Sequence, residues 1–224
     1  MNQKRLAVLF SAVLSGAVGS TTAEIAPCAK SPEEAWRLAQ EAVSSKDAGR
    51  VMLTFTPTYR TQNAVEYAVG ASMVAEISGL SGELSGNPAA VEKAKKAEQR
   101  LLLELDAILV KHKAPTIAQI GTPRLMKMRD PAVQARFAKI DHVAYAREME
   151  SFFLKAEAAA KEAGVSSPGP TKLDELVVGG GALSASLAPA IVGETARAAA
   201  GSTTMLFRKV NGCWLIDGRE DQPR

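Results

Sequence analysis

The chain has 224 residues, with 27 Lys and Arg against 24 Asp and Glu, and a formal net charge of +3. Residues 1–23 hold two of the basic side chains and no acidic one, so the remainder carries 25 minus 24, or +1. That balance lacks the basic footprint of a nucleic-acid binder, and a remainder of about 200 residues can bury one good core.

Residues 1–23 read as a secretory signal peptide: Lys4 and Arg5 open it, residues 6–18 are apolar and small, and Thr21-Thr22-Ala23 offers a small-x-small cleavage site. Cleavage after Gly19 is the alternative. The apolar run is short for a membrane span, and Pro27 before Cys28 does not fit a lipoprotein signal. The expectation is export, periplasmic or secreted, with no stable membrane span after cleavage. Cys28 and Cys213 are the two cysteines. In an oxidising compartment an even count predicts one disulfide between them; the alternative is two separate thiols.

The rest, residues 24–218, is expected to form one domain. Ser31-Pro32-Glu33-Glu34 opens a helix, with Ser31 as N-cap, Pro32 at the first position and Glu34 completing a capping box. Trp36, Ala39 and Val43 follow at helical spacing and face the core. Asp47 caps a short helix expected to run through Phe55. Thr56-Pro57 starts another, carrying Tyr59, Ala64, Tyr67, Ala71 and Val74 and expected to stop near Gly79, with a Gly/Ser loop to Asn87.

Asn87-Pro88 caps a helix to about His112, whose apolar stripe is Ala97, Leu101, Leu105 and Ile108, widened by Leu102 and Leu109. Thr122-Pro123 and Asp130-Pro131 each resemble a helix start. Val133, Phe137 and Ile140 make one stripe. Asp141 caps a longer helix to Ala163, with Tyr145, Met149, Phe152 and Ala156 on one face, and Gly164 ends it. Residues 88–164 are therefore mostly helix: a helical insertion or lid, or an expanded helical layer. Residues 165–170 (VSSPGP) read as a linker, residues 173–187 as the first strand or strands, and Gly179-Gly180-Gly181 as a bulge or turn.

Three two-residue turns punctuate the C-terminal segment: Gly193-Glu194, Gly201-Ser202 and Asn211-Gly212. The last is the strongest hairpin signal, because a type I′ turn needs positive φ at both central residues. The expected strands are 187–192, 195–200, 203–210 and 213–218. Met205 and Phe207 point to one face, Leu206 and Val210 to the other. Residues 219–224 read as a polar, flexible tail.

Val192-Gly193-Glu194-Thr195-Ala196, followed by Phe207-Arg208-Lys209-Val210-Asn211-Gly212-Cys213-Trp214-Leu215-Ile216-Asp217, resembles the closing hairpins of the nuclear-transport-factor-2-like superfamily. The likeness is closest to small exported members ending on F-x-K-x-x-G-x-W-x-I-D. It covers residues 191–217 strongly and 31–60 weakly. It implies an α+β cone, in which N-terminal helices pack on a C-terminal curved antiparallel sheet, here with a large helical insertion. The motif marks a hairpin and the Trp beneath it and carries no catalytic group. The superfamily holds enzymes and non-catalytic modules alike, so fold does not decide function.

Within the cone the resemblance implies, Tyr59, Tyr67 and Trp214 are the pocket candidates, although tyrosines at helical spacing more often pack in the core. Neither His112 nor His142 has a second His or a Cys at metal-ligand spacing. Asp141-His142 is conceivable as an acid/base dyad, but neighbours on a helix diverge by about 100°. Asp217 belongs to the hairpin motif. Gly179–181 lacks the Lys of a phosphate loop, and Arg124, Leu125, Met126, Lys127, Met128 and Arg129 form a short basic-apolar patch. No catalytic residue, metal or cofactor is expected. The expectation is an exported non-catalytic module that holds a small apolar ligand or a partner protein of the envelope in or at the mouth of the cone. The alternative is a metal-independent enzyme of the same fold acting on a small substrate.

Overall fold

The computed structural model describes residues 27–84, 87–162, 187–201 and 203–221. The signal-peptide region, the linker at 165–170, the strands expected within 173–187 up to residue 186, and residues 222–224 lie outside the described residues. The described part is α+β: eight helices precede a four-stranded antiparallel sheet.

Helix α1 (Pro32–Ser44) begins where the sequence places it, and Ser31 Oγ accepts the Glu34 amide at 3.2 Å. The capping box is displaced by one residue, because the Glu34 carboxylate accepts the Lys30 amide instead of that of Ser31. Asp47 caps α2 (Ala48–Leu53) and accepts the Arg50 amide. This helix stops two residues short of the expected Phe55. The Thr54 carbonyl accepts from the Ile216 amide (3.0 Å), and the Thr56 amide donates to the Ile216 carbonyl (2.8 Å), so Phe55 makes a parallel bridge to the sheet. Arg60 takes the carbonyls freed at the helix end, Leu53 at 3.0 Å and Phe55 at 2.8 Å.

Helix α3 (Pro57–Leu84) runs past Gly79, correcting the expected stop. At that point Glu98 of α4 (Pro88–Lys111) lies so close that a Cβ on Gly79 would stand 3.2 Å from its Cβ. The glycine serves helix approach rather than termination. Ala64, Val65, Ala68, Ala71 and Ala75 are all buried, as befits a helix enclosed on several sides. Its buried hydroxyls bond back to its own carbonyls: Thr61 to Pro57, Ser72 to Val69 and Ser78 to Val74.

Short helices α5 (Ile117–Ile120), α6 (Arg124–Lys127) and α7 (Pro131–Phe137) lead to α8 (His142–Glu162). Helix α3 packs along α4, α7 and α8, and α8 also packs on α2. Val133, Phe137, Ile140, Tyr145, Met149, Phe152 and Ala156 are buried, as their spacing implies.

The sheet follows chain order, β1 (Ala190–Val192), β2 (Thr195–Ala200), β3 (Thr203–Val210) and β4 (Cys213–Asp221). The first strand is shorter than the expected 187–192, and it opens just after Pro189, which has no N–H for a ladder. The three turns fall where expected: Val192 pairs with Thr195, Ala200 with Thr203 and Val210 with Cys213. Asn211 (φ 50°) and Gly212 (φ 83°) are both left-handed. Ala196 and Ala198 face Phe207 and Met205 across the ladder, all four buried. The small residues thus leave room for the large ones, and an alanine-rich segment holds as a strand. Arg219, Glu220 and Asp221 are not tail. A bulge after Leu206 carries β4 onward to pair with Met205, Thr204 and Thr203.

Candidate functional site

The outer edge of β4 is held by two segments that flank α1 and α2. At one end the Trp214 amide donates to the Ala29 carbonyl (2.9 Å) in an isolated bridge. Beside it Cys28 and Cys213 form a disulfide with Cα atoms 4.8 Å apart, joining positions 185 residues apart. The Asn211-Gly212 turn places Cys213 at the strand start. Closing so long a loop constrains the unfolded chain by about 4–5 kcal/mol at most. Trp214 is 6% exposed. It lines a shallow groove with Pro27, Ala29, Ala35, Leu38, Thr54 and Leu215. The groove encloses no space for even a water-sized molecule, whereas small-molecule pockets usually hold roughly 300–1,000 Å³.

At the other end Phe55 and Thr56 meet Ile216 and Asp217. Thr56 Oγ1 donates to Asp217 Oδ1 at 2.8 Å and accepts the Tyr59 amide at 3.3 Å, so one hydroxyl caps α3 and ties it to the sheet. Arg208, one strand over, bonds Asp217 Oδ2 at 2.7 Å. The Asp217 carboxylate is therefore spent on structure, which leaves it poorly placed as a base.

The three pocket candidates do not share one cavity. Tyr59 meets Phe55 at a 60° tilt with ring centroids 4.9 Å apart. Tyr67 meets Phe153 of α8 edge-on at 6.5 Å. Trp214 lines the groove, whose lining contains neither tyrosine. Tyr67 is 1% exposed and its hydroxyl has no hydrogen-bond partner among the described residues; burial first, then the charges of neighbouring groups, push its phenol far above the ordinary value. One turn earlier Asn63 donates to the Tyr59 carbonyl (2.8 Å) while its Oδ1 is buried without a partner among the described residues. Asn63 was not singled out from the sequence; its position four residues before Tyr67 on a core-facing stripe was the available signal. Tyr145 donates to the Ala64 carbonyl at 3.2 Å.

The histidines do not form a catalytic set. His112 ends α4 and pairs through Nε2 with Glu148 of α8 at 3.0 Å, with Lys111 on the same carboxylate. Burial pushes the Glu148 carboxyl up, but these two donors outweigh it and hold it below the usual range. His142 is half-buried, and desolvation, then the nearby Arg60 charge, lowers its pKa. Asp141 does not reach back to it: its Oδ1 accepts the Val143 and Ala144 amides at 3.1 Å each. In the basic-apolar patch, Arg124 pairs with Glu76 and Lys127 with Asp130, while Leu125 and Met126 are exposed.

Among the described residues no group of three or more His, Cys, Asp or Glu is placed to hold a metal, and no helix is long and apolar enough to cross a membrane. No family model, no curated protein and no solved structure matches this chain.

Proposed function

We propose that this chain is an exported, non-catalytic interaction module of the nuclear-transport-factor-2-like type, whose partner is a protein of the envelope rather than a small molecule enclosed in its core. The observation that carries the reading is the use made of its polar groups. Asp217, Asp141, Asp47 and Glu148 each serve a cap or an ion pair within the fold, and the groove at Trp214 is too shallow for an enclosed substrate. The disulfide suits an oxidising compartment. The helices before a C-terminal antiparallel sheet suit the superfamily's architecture. Contact area is available outside the core, where Leu103 and Val110 on α4 and Ile191 and Val192 on β1 are exposed.

Site-specific photo-crosslinking in the living cell tests this. A crosslinker at Leu103, Val110, Ile191 or Val192 should give a discrete protein adduct, and one at Arg37, on the solvated face of α1, should not. Absence of adducts at all four, with a small molecule retained in native mass spectrometry, contradicts it.

One observation favours the second reading, a small-substrate enzyme of the same fold. Asn63 Oδ1 and the Tyr67 hydroxyl are buried polar atoms without partners among the described residues, and such atoms are few in folded proteins and call for an explanation, a catalytic role being one. Tyr67→Phe separates the two. A packing role predicts unchanged or raised stability and unchanged cellular function, whereas a substrate contact predicts lost function in a stable protein.

A further inference from the structure

We propose that Cys28 is the exchange-active sulfur of the Cys28–Cys213 pair: in the reduced protein its thiolate attacks an external disulfide, Lys30 promotes that attack, and Cys213 resolves the mixed disulfide. The two sulfurs are not equivalent. Cys28 lies on an exposed strap ahead of α1, whereas Cys213 is half-buried at the start of β4, between the Asn211-Gly212 turn and buried Trp214. The Lys30 ammonium stands 3.5 Å from Cys28 Sγ. A cation at that range stabilises the thiolate, the nucleophilic form.

The charged neighbours of this corner are few. On α1, Glu34 is turned to the Lys30 amide and lies 3.8 Å from Arg37. On the hairpin, Lys209 stands in register with Trp214, next to Cys213. Lys30 is thus the group placed on the sulfur itself. The strap is also held in position without the covalent bond, because Trp214 donates to Ala29, so the two sulfurs stay neighbours when reduced.

The chemistry balances. The Cys28 thiolate forms a bond to one sulfur of an external disulfide and expels the other as a thiolate. The Cys213 thiolate then attacks the Cys28 sulfur and expels the second. The protein dithiol loses two electrons, and the external disulfide is reduced to two thiols. The co-reactant is a disulfide of either the glutathione class or the Cys-x-x-Cys oxidoreductase class.

The test uses the reduced full-length protein. With oxidised glutathione at pH 7, Cys28 in the Cys213→Ser variant should form the mixed disulfide about threefold faster than Cys213 in Cys28→Ser, the gain left from about one unit of thiol pKa once the weaker nucleophilicity of the more acidic thiolate is counted. Lys30→Gln should remove most of that advantage and shift the Cys28 rate profile to higher pH, and Lys30→Arg should restore it. Equal rates, faster reaction at Cys213, or a profile indifferent to Lys30→Gln overturns the proposal. Should either serine variant misfold, reduced wild type is treated with substoichiometric iodoacetamide and the label is mapped by mass spectrometry. Label mainly on Cys28 supports the assignment, and label shared evenly or mainly on Cys213 refutes it. Repeating the reaction with an oxidised Cys-x-x-Cys oxidoreductase identifies the source: the faster oxidant is the co-reactant class, and Cys28 is the attacking sulfur with both.

Discussion

The β2–β4 meander and the contact between α2 and α8 are both well packed, yet they are specified at opposite ranges. In the meander two residues decide each connection: Asn211 and Gly212 adopt positive φ, and Val210 and Cys213 pair as a consequence. In the helical contact the deciding residues lie about a hundred positions apart. Arg147 of α8 grips Asp47, the cap of α2, at 2.9 and 3.0 Å. Glu150 accepts the Ala48 amide, and Gly49 leaves space in which a Cβ would stand 2.7 Å from Arg147 Nε and 2.8 Å from Val143 Cγ1. Turn chemistry is a local property of the chain, so it can be read in sequence. Close approach is a property of two segments, and one segment alone does not reveal it.

Four substitutions press on this contrast. Trp214→Ala removes the side chain on which the strap, α1 and β4 converge and should cost about 3–5 kcal/mol in chemical denaturation; a loss under about 1 kcal/mol, the range of surface changes, would mean the meander does not depend on it. Gly49→Ala should cost about 1–3 kcal/mol by overpacking, although alanine ordinarily favours a helix over glycine. A stabilised Gly49→Ala protein would show that α2 and α8 are not in close contact. Thr56→Val should cost about 1–2 kcal/mol, since it removes the cap of α3 and the bond to Asp217; a neutral result would leave the junction resting on the Phe55 bridge alone.

The smallest effect concerns pH. Burial holds the His142 pKa below its ordinary 6.5, so the unfolded chain binds the proton more readily. The contribution is present above pH 6.5 and is lost as pH falls from there through the folded value. Stability measured across that window should decline on acidification, and less so in His142→Gln. An identical slope in the two proteins would place the titration elsewhere.

Much of the fold was legible. Ser31, Asp47, Asn87, Asp130 and Asp141 all cap the helices that their positions foretell, because capping needs only a short polar side chain and the next turn of backbone. The cysteine pairing and the three hairpin turns were legible for the same reason of simple chemistry. Helix ends set by distant contacts were not. Phe55 leaves α2 because Ile216 takes its neighbours' backbone groups, and Gly79 stays inside α3 because Glu98 crosses there. Arg219–Asp221 looked like tail because charged residues resemble solvent-facing coil. Their partners on β3, which place them in a strand, are known only once the bulge is seen. Of the candidate site, the burial of Tyr59 and Tyr67 follows from helical spacing and that of Trp214 was expected from the hairpin motif, but their separation into different surroundings depends on how α3 lies against the sheet.

The central physical claim is that the two segments flanking α1 and α2 grip the outer edge of β4 and so join the helices to the sheet. Native-state hydrogen exchange, read at the amides of Trp214 and Ile216, tests it most directly. Both amides donate to carbonyls of those segments, so both should exchange as slowly as the central β3 amides and open only with global unfolding. Exchange at the rate of exposed loop amides, while β3 remains protected, would contradict it.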